Sequence, residues 1–140
     1  DVLKERTGDT ILTPHPLEFS RMTGIPVHEI QSDRLNKAAE FAKGHGVTLL
    51  LKGADTVVAS PDGRVCVNAH ACRGLSKGGS GDVLTGIIGA FAAQGIEPFH
   101  AACCGAYCHW KAADILTRRL PAESILPTNI IAALPDVFAE

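Results

Sequence analysis

Short apolar segments, separated by proline and glycine, predict the strands of this chain. Residues 10–13 form an apolar run that stops at two prolines, which predicts a strand ending in a loop. Residues 47–51 form a continuous apolar run without alternation, a pattern typical of a strand covered on both faces, as in a parallel sheet. Residues 56–59 and 65–67 flank a Pro-Asp-Gly turn, so this stretch predicts a β-hairpin.

Apolar positions at helical spacing account for much of the remaining sequence. Residues 18–23 predict a short helix that ends at Gly24, and Ser32 is a suitable N-cap for the next helix, which ends near residue 44. Further helices are predicted for residues 82–94, for residues 98–120 and, as a short last helix, from Pro127 onward. Strands and helices in this order predict an α/β fold in which a partial parallel sheet is flanked by helices.

The composition limits the class of protein. The chain has 140 residues, 46% of them apolar, which suits one domain with a core and excludes a disordered protein. Its formal net charge of −2 argues against a nucleic-acid-binding protein, which needs a basic face. No apolar run reaches the ~18 residues of a membrane helix, and no signal-peptide pattern opens the chain. We therefore expect neither a nucleic-acid nor a membrane partner.

The five cysteines favour a reducing compartment, because an odd number in a chain of this length is unlike a secreted disulfide scaffold. We therefore predict a cytoplasmic location. Cys103, Cys104 and Cys108 share one predicted helix with His100 and His109, and residues 100, 104 and 108 lie on one face of it. That face allows a metal site, but no C-x-x-C pair supports one, and buried cysteines are common packing residues. We assign no metal ligand.

A glycine-rich segment at residues 74–81 carries the strongest chemical signal. It leads directly into the helix that begins with Asp82. Glycines allow a ligand to approach the backbone closely, and the free amides at a helix N-terminus suit phosphate. The alternative is a tight turn in which Asp82 is only a helix cap. Neither the P-loop pattern nor the dinucleotide-binding pattern is present, so phosphate chemistry here belongs to another class.

Four segments in order resemble the signature motifs of the ribokinase-like NAD(P)H-hydrate dehydratases. Residues 77–86 (KGGSGDVLTG) are similar to the glycine-rich signature of that family. Residues 13–19 (TPHPLEF) resemble its T-P-H-P-G-E-F motif, with Leu17 where the family usually has glycine. Residues 51–56 (LKGADT) resemble its L-K-G-x-x-T motif, and the segments ILPT (residues 125–128) and ALP (residues 133–135) resemble its closing segment.

The resemblance implies a ribokinase-like fold and a place for this chain within it. The first residue is Asp1 rather than Met, and the N-terminal part of the family has no counterpart in this sequence. We therefore expect residues 1–140 to be the C-terminal part of a single ribokinase-like domain. A sheet cut in this way exposes an unpaired edge, so we expect a homo-oligomer or pairing with the missing N-terminal half.

The resemblance also implies a reaction. In this family, ADP or ATP phosphorylates the hydroxyl of hydrated NADH or NADPH, and loss of phosphate then restores NAD(P)H. Asp82 would take the hydroxyl proton, and the amides of Gly79 and Gly81 would stabilise the developing charge. His15 and Asp82 would contact the hydrate. The residues implied in nucleotide binding are Lys52, Gly53, Ala54, Asp55, Thr56 and Gly81. Mg²⁺ is implied by the chemistry, without assigned ligands.

Other interpretations stay open for the same residues. A ribokinase-like kinase acting on a sugar or a vitamin-precursor alcohol would share the glycine turn and its aspartate. An inactive nucleotide-binding fragment is a third possibility. Taken without the resemblance, His15 is also consistent with a surface histidine in a rigid loop, and Lys52 with a solvated lysine. Arg73 and Lys77, beside the glycine turn, are consistent with steering of anionic substrates or with ordinary surface charge.

Overall fold

The strands of the first half of the chain pair into one four-stranded mixed sheet. The structure is a computed structural model that describes residues 2–139. The chain divides into two units, Asp1–Ala69 and His70–Glu140. The first unit contains α1 (Val2–Glu5), β1 (Ile11–Leu12), α2 (Pro16–Thr23), α3 (Val27–Ser32), α4 (Arg34–His45), β2 (Thr48–Leu51), β3 (Thr56–Ala59) and β4 (Val65–Asn68).

Strand β2 lies at the centre of the first unit. All four of its residues are buried, as the continuous apolar run predicts. Its pairing is parallel with β1 but antiparallel with β3. The loop between β2 and β3 is too short for the crossover that a parallel pair requires, so the chain reverses direction there. Strands β3 and β4 form the predicted hairpin, with Val57 opposite Val67.

Three helices pack against this sheet and form the core of the first unit. Phe19 of α2, Ile30 of α3 and Ala38 of α4 have no exposed surface and cluster with Leu49 and Leu51 of β2. Burial of such apolar side chains contributes about 1.5–3 kcal/mol each for the larger ones. The helices therefore hold the sheet and also fix the loops at the carboxyl ends of β1 and β2.

The predicted N-cap role of Ser32 is wrong. Ser32 is the last residue of α3, a short helix that the sequence analysis did not predict, and its Oγ donates to the carbonyl of Glu29 at 2.9 Å. Helix α4 begins at Arg34 instead, after Asp33. A serine bonds as readily to the carbonyl three residues before it as to the amides after it, and here the preceding helical turn offers that carbonyl.

The second unit is helical. It contains a 3₁₀ turn (Arg73–Leu75), α5 (Ser80–Ala93), α6 (Pro98–Thr117), a second 3₁₀ turn (Ala122–Ser124) and α7 (Pro127–Phe138). The three predicted helices are confirmed, although α5 begins two residues earlier and α6 ends three residues earlier than predicted. Within residues 2–139, no helix has both the length and the apolar character that a membrane span requires.

Small residues let α5 and α6 approach each other closely. A Cβ atom on Gly105 of α6 would lie 2.4 Å from Cγ1 of Ile88 on α5, so only glycine fits there. Helix α7 is held by a second cluster that includes Ile125, Ile130 and Ala133, all of which are buried. Close backbone approach of this kind leaves little room for α5 and α6 to shift against each other.

Candidate functional site

The predicted site residues fall in both units. His15 and residues 52–56 belong to the first unit, and Gly79, Gly81 and Asp82 belong to the second. In the first unit, His15 and Lys52 both lie close to the carboxylate of Glu18. In the second unit, the glycine turn lies at the start of α5.

His15 caps helix α2. Its Nδ1 atom accepts a hydrogen bond from the amide of Glu18 at 3.0 Å, and its own amide donates to Oε2 of Glu18 at 2.7 Å. Because Nδ1 is the acceptor in this reciprocal cap, the neutral ring carries its hydrogen on Nε2. The fixed loop between two prolines and the cap together set the direction of the imidazole ring.

Glu18 links His15 to Lys52. Its Oε2 lies 3.7 Å from Nζ of Lys52, and its Oε1 lies 3.3 Å from Nε2 of His15. The hydrogen bond from the His15 amide lowers the pKa of the Glu18 carboxyl below its usual range; partial burial opposes this shift, and the Lys52 and His15 charges reinforce it. The Lys52 amide also donates to the carbonyl of Pro14 at 2.9 Å. Sequence analysis missed Glu18, although a glutamate three residues after a helix cap is a recognisable capping pattern.

A second missed residue, Arg34, holds the loop between β2 and β3. Its Nη2 atom donates to the carbonyls of Leu51, Lys52 and Asp55 at 2.9, 3.1 and 2.9 Å. Burial lowers the pKa of this guanidinium, and the charge of Asp55 opposes the shift. No sequence pattern signals this contact, because Arg34 stands seventeen residues before Leu51 and belongs to no motif.

In the loop at residues 52–56, the carbonyls of Lys52, Gly53 and Asp55 accept hydrogen bonds, whereas several amides donate none to any described residue. A Cβ atom on Gly53 would lie 2.5 Å from the Arg34 guanidinium, so the glycine permits the guanidinium to reach the carbonyls. Within residues 2–139, the amides of Gly53, Ala54 and Asp55 donate no hydrogen bond. Unpaired donors beside a lysine are suited to phosphate oxygens.

In the second unit, Gly79 rather than Asp82 is the N-cap of α5. Gly79 has φ +88°, a left-handed conformation that is unfavourable for residues other than glycine. Its carbonyl accepts from the amides of Asp82 and Val83 at 3.1 and 3.2 Å, so Asp82 is the third residue of the helix. The interpretation of Asp82 as a simple helix cap is therefore wrong.

The glycine turn has unpaired donors and an uncommitted carboxylate. In the part of the chain that the structure describes, the amides of Gly78, Gly79 and Gly81 donate no hydrogen bond, and the exposed side chain of Asp82 makes none and no ion pair. The positive end of the α5 dipole lies at the same place. This turn can therefore bind an oxyanion while the carboxylate accepts a proton from a neighbouring group.

The closing segment of the sequence supports this turn. Leu75 and Val83, on either side of the glycines, pack against the cluster that contains the buried Ile125. A Cβ atom on Gly79 would lie 3.2 Å from Cγ of Pro127, the first residue of α7. The resemblance of residues 125–128 to a family motif thus has a physical counterpart, a contact that the sequence did not predict.

The cysteine and histidine residues of α6 do not gather around a common point. Within residues 2–139, no three His, Cys, Asp or Glu side chains form a group that could hold a metal ion. His100 lies 2.8 Å from Glu97 at the surface, whereas His109 is buried and its Nε2 lies 3.0 Å from Oγ of Ser80. Burial raises the pKa of the Cys108 thiol, and Cys104 adds to the shift.

The described residues also lack a ready-made Mg²⁺ cage, because no such acidic group is present among residues 2–139. Mg²⁺ usually keeps several waters and binds one or two carboxylates together with substrate phosphates. A magnesium ion carried by nucleotide phosphates would need no such cage.

Comparison with solved structures defines the class of fold. A ribokinase-like superfamily protein from Enterococcus faecalis superposes with a TM-score of 0.76 and 29% identity, over 92% of this chain and 43% of that one. An ADP/ATP-dependent NAD(P)H-hydrate dehydratase from Bacillus subtilis, co-crystallised with ATP/Mg²⁺, superposes with a TM-score of 0.91 and 40% identity, over 96% of this chain and 49% of that one. The fold is ribokinase-like, as the resemblance implies.

Comparison with known sequences identifies the family within this class of fold. The sequence model of the NAD(P)H-hydrate dehydratase family matches residues 1–136. An ADP-dependent (S)-NAD(P)H-hydrate dehydratase from Neisseria meningitidis is 48% identical over 106 residues, which are 76% of this chain and 36% of that protein. A bifunctional NAD(P)H-hydrate repair enzyme from Moorella thermoacetica is 44% identical over 137 residues, 98% of this chain and 26% of that protein. The chain belongs to the NAD(P)H-hydrate dehydratase family and spans half or less of the length of these relatives.

Proposed function

We propose that this chain takes part in the nucleotide-dependent dehydration of hydrated NADH or NADPH, with ADP or ATP as the phosphoryl donor. The names of its relatives support the substrate and the donor. The observation that carries the proposal is the glycine turn, where unpaired amides of Gly79 and Gly81 adjoin the uncommitted carboxylate of Asp82.

In the proposed reaction, Asp82 accepts the proton of the hydrate's hydroxyl group as that oxygen attacks the terminal phosphorus of the nucleotide. The bond from this phosphorus to the bridging oxygen breaks, and AMP leaves from ADP or ADP leaves from ATP. The amides of Gly79 and Gly81 stabilise the charge on the transferred group. The carbon–oxygen bond then breaks, phosphate departs, and loss of a proton from the neighbouring carbon restores the double bond of NAD(P)H.

The first unit supplies the proposed binding groups. The amides of Gly53, Ala54 and Asp55 and the ammonium of Lys52 bind phosphate oxygens, and His15 contacts the hydrate. Mg²⁺, when bound with the nucleotide, neutralises charge on its phosphates. The support for these roles is the set of unpaired donors in the loop and the fixed ring of His15.

We also propose that residues 1–140 form the C-terminal part of a single ribokinase-like domain, completed by an N-terminal part or by a second copy. The partial coverage of the Bacillus subtilis structure supports this organisation. Light scattering tests this organisation. An incomplete domain should associate through its unpaired sheet edge, so a monodisperse monomer would contradict the proposal. A cytoplasmic location is proposed on the five free cysteines.

The experiment incubates the protein with hydrated NADH, Mg²⁺ and either ADP or ATP, and follows NADH fluorescence together with phosphate release. We expect NADH and phosphate to appear in equal amounts. The same assay with a panel of sugars and vitamin-precursor alcohols tests the kinase alternative. Phosphorylation of such an alcohol, without turnover of the hydrate, would overturn the proposal.

Replacing Asp82 tests the role of its carboxylate. The change Asp82→Asn keeps the size of the side chain but removes the base, so kcat should fall by about 10²–10⁴. The free energy of unfolding should fall by about 1 kcal/mol at most, because the variant loses a negative charge at the positive end of the α5 dipole. Asp136→Asn is the matched control, because Asp136 is also exposed and belongs to the same unit but lies 3.7 Å from Arg119, outside the turn. Equal activity of Asp82→Asn and the control would refute the assignment.

A further inference from the structure

A buried hydrogen bond joins the start of α5 to the middle of α6. Oγ of Ser80 lies 3.0 Å from Nε2 of His109, and the two residues are 3% and 6% exposed. They are 29 positions apart in the sequence. Burying two polar groups destabilises a core unless they bond to each other or to other partners. The hydrogen bond between Ser80 and His109 therefore offsets the cost of burying them.

Ser80 occupies the position in α5 where a small displacement matters most. It is the first residue of the helix and stands between Gly79, with its left-handed backbone, and Gly81. Glycines have few backbone restraints of their own, so the turn needs another source of order. The His109 contact fixes the residue between them from the neighbouring helix.

Helix α6 is a rigid support for this contact. Gly105, one turn before His109, lets Ile88 of α5 approach so closely that a Cβ atom there would lie 2.4 Å away. Ala112 and Ala113, which follow His109, have no exposed surface. Because α6 approaches α5 closely before His109, and Ala112 after it belongs to the buried cluster with Ile130 and Ala133 of α7, the backbone that carries the imidazole is held on both sides.

We propose that His109 is a positioning residue for phosphoryl transfer. Through its hydrogen bond to Ser80, it sets the direction of the Gly79 and Gly81 amides and the place of the Asp82 carboxylate. The proposal rests on the proposed function for its effect on turnover. An apolar pair would fill the same space, but it would not fix the direction of a flexible turn, whereas a hydrogen bond does so by its geometry.

The test compares variants that keep or lose this bond. Gln at position 109 places its terminal amide where Nε2 of the imidazole lies, whereas Asn reaches only as far as Nδ1. We therefore compare His109→Gln with His109→Asn, together with Ser80→Ala and the double variant Ser80→Ala/His109→Asn. Each is made in the full chain, and circular dichroism confirms that it folds.

Two measurements follow. The first is the backbone amide NMR shifts and hydrogen-exchange rates of Gly79, Gly81 and Asp82, which require no substrate. The second is kcat and KM for the nucleotide with hydrated NADH. A displacement of the order of 1 Å at reacting groups costs about a hundredfold in rate, so we expect kcat to fall about a hundredfold in Ser80→Ala, with KM changed much less.

Support requires three results together. Ser80→Ala and His109→Asn shift the same turn amides, the double variant is no worse than either single variant, and His109→Gln restores most of the rate. Additive losses in the double variant, unchanged turn amides, or equal damage from Gln and Asn would overturn the proposal. If the unmodified protein fails to turn over the hydrate, the proposed function fails, and the amide measurements still decide whether His109 positions the turn.

Discussion

Replacing Arg34 with alanine should loosen the proposed nucleotide-binding loop. Nη2 of Arg34 has two hydrogens and lies within 3.1 Å of three carbonyls, those of Leu51, Lys52 and Asp55. A hydrogen bond to a charged group contributes about 1.5–3 kcal/mol, so two hydrogens contribute about 3–6 kcal/mol. Water can reach the carbonyls of the exposed part of the loop in the variant, which favours the lower end, about 3 kcal/mol.

Thermal and urea unfolding measure this loss. About 3 kcal/mol corresponds to about a hundredfold in the unfolding equilibrium and to about 10 °C in Tm for a chain of this size. The rise in Tm caused by ADP should also shrink, because the loop amides no longer hold one arrangement. Arg21→Ala is the control, since Arg21 is an exposed arginine in the last turn of α2.

The reasoning would be refuted if Arg34→Ala unfolded within about 0.5 kcal/mol of the unmodified protein, the range of ordinary surface substitutions such as Arg21→Ala. A variant that is destabilised as expected but keeps the full ADP-induced rise in Tm would separate the effect on stability from the effect on nucleotide binding. In that case, Arg34 would stabilise the unit without arranging the loop for the nucleotide.

Two further predictions concern stability. Gly105→Ala should lower the free energy of unfolding by about 1–3 kcal/mol because its Cβ would meet Ile88 at 2.4 Å, whereas Gly89→Ala, with nothing within 4 Å, should raise it by up to about 1 kcal/mol in the same urea titration. Glu18 has a folded-state pKa below its unfolded value, so its contribution is present above the unfolded pKa of about 4.5 and is lost as pH falls through the lowered value. The unmodified protein should exceed Glu18→Gln in stability near neutral pH by less than about 1 kcal/mol, and this difference should vanish in acid.

Each of these has a clear contrary outcome. Equal effects of the two glycine substitutions would mean that α5 and α6 separate without cost at their point of closest approach. A difference between the unmodified protein and Glu18→Gln that grew as the pH fell would reverse the sign expected for a lowered carboxyl pKa, and the contacts of Glu18 with His15 and Lys52 would not stabilise the fold.

Local pattern was sufficient for most elements of the fold. The buried character of β2, the β3–β4 hairpin and the helices α5, α6 and α7 follow from apolar spacing and turn residues, which act between neighbours in the sequence. The six-residue helix α3 was missed, since one turn and a half offers too little periodicity to detect. The direction of β3 beside β2 also differed from a parallel sheet, because the connecting loop fixes direction and the apolar run does not.

The segments that carry the candidate chemistry could also be predicted from the sequence. The glycine turn, the T-P-H-P segment and the L-K-G segment are each an unbroken run of residues. Their residues remain predicted site residues, and the structure adds what surrounds them. Glu18 joins His15 to Lys52, and Arg34 holds the carbonyls of the loop. Neither contact has a signature beyond the helix-capping pattern of Glu18.

The sequence by itself determined the family, most of the helices and strands, and the order of the motif segments that we propose to bind phosphate, since all of these depend on residues a few positions apart. Only the tertiary structure decided which side chains hold those segments in place. Arg34 meets Asp55 across 21 positions and Ser80 meets His109 across 29. Such contacts arise when packing brings distant backbone segments together, and the directional bonds that then form depend on that packing and not on spacing along the chain.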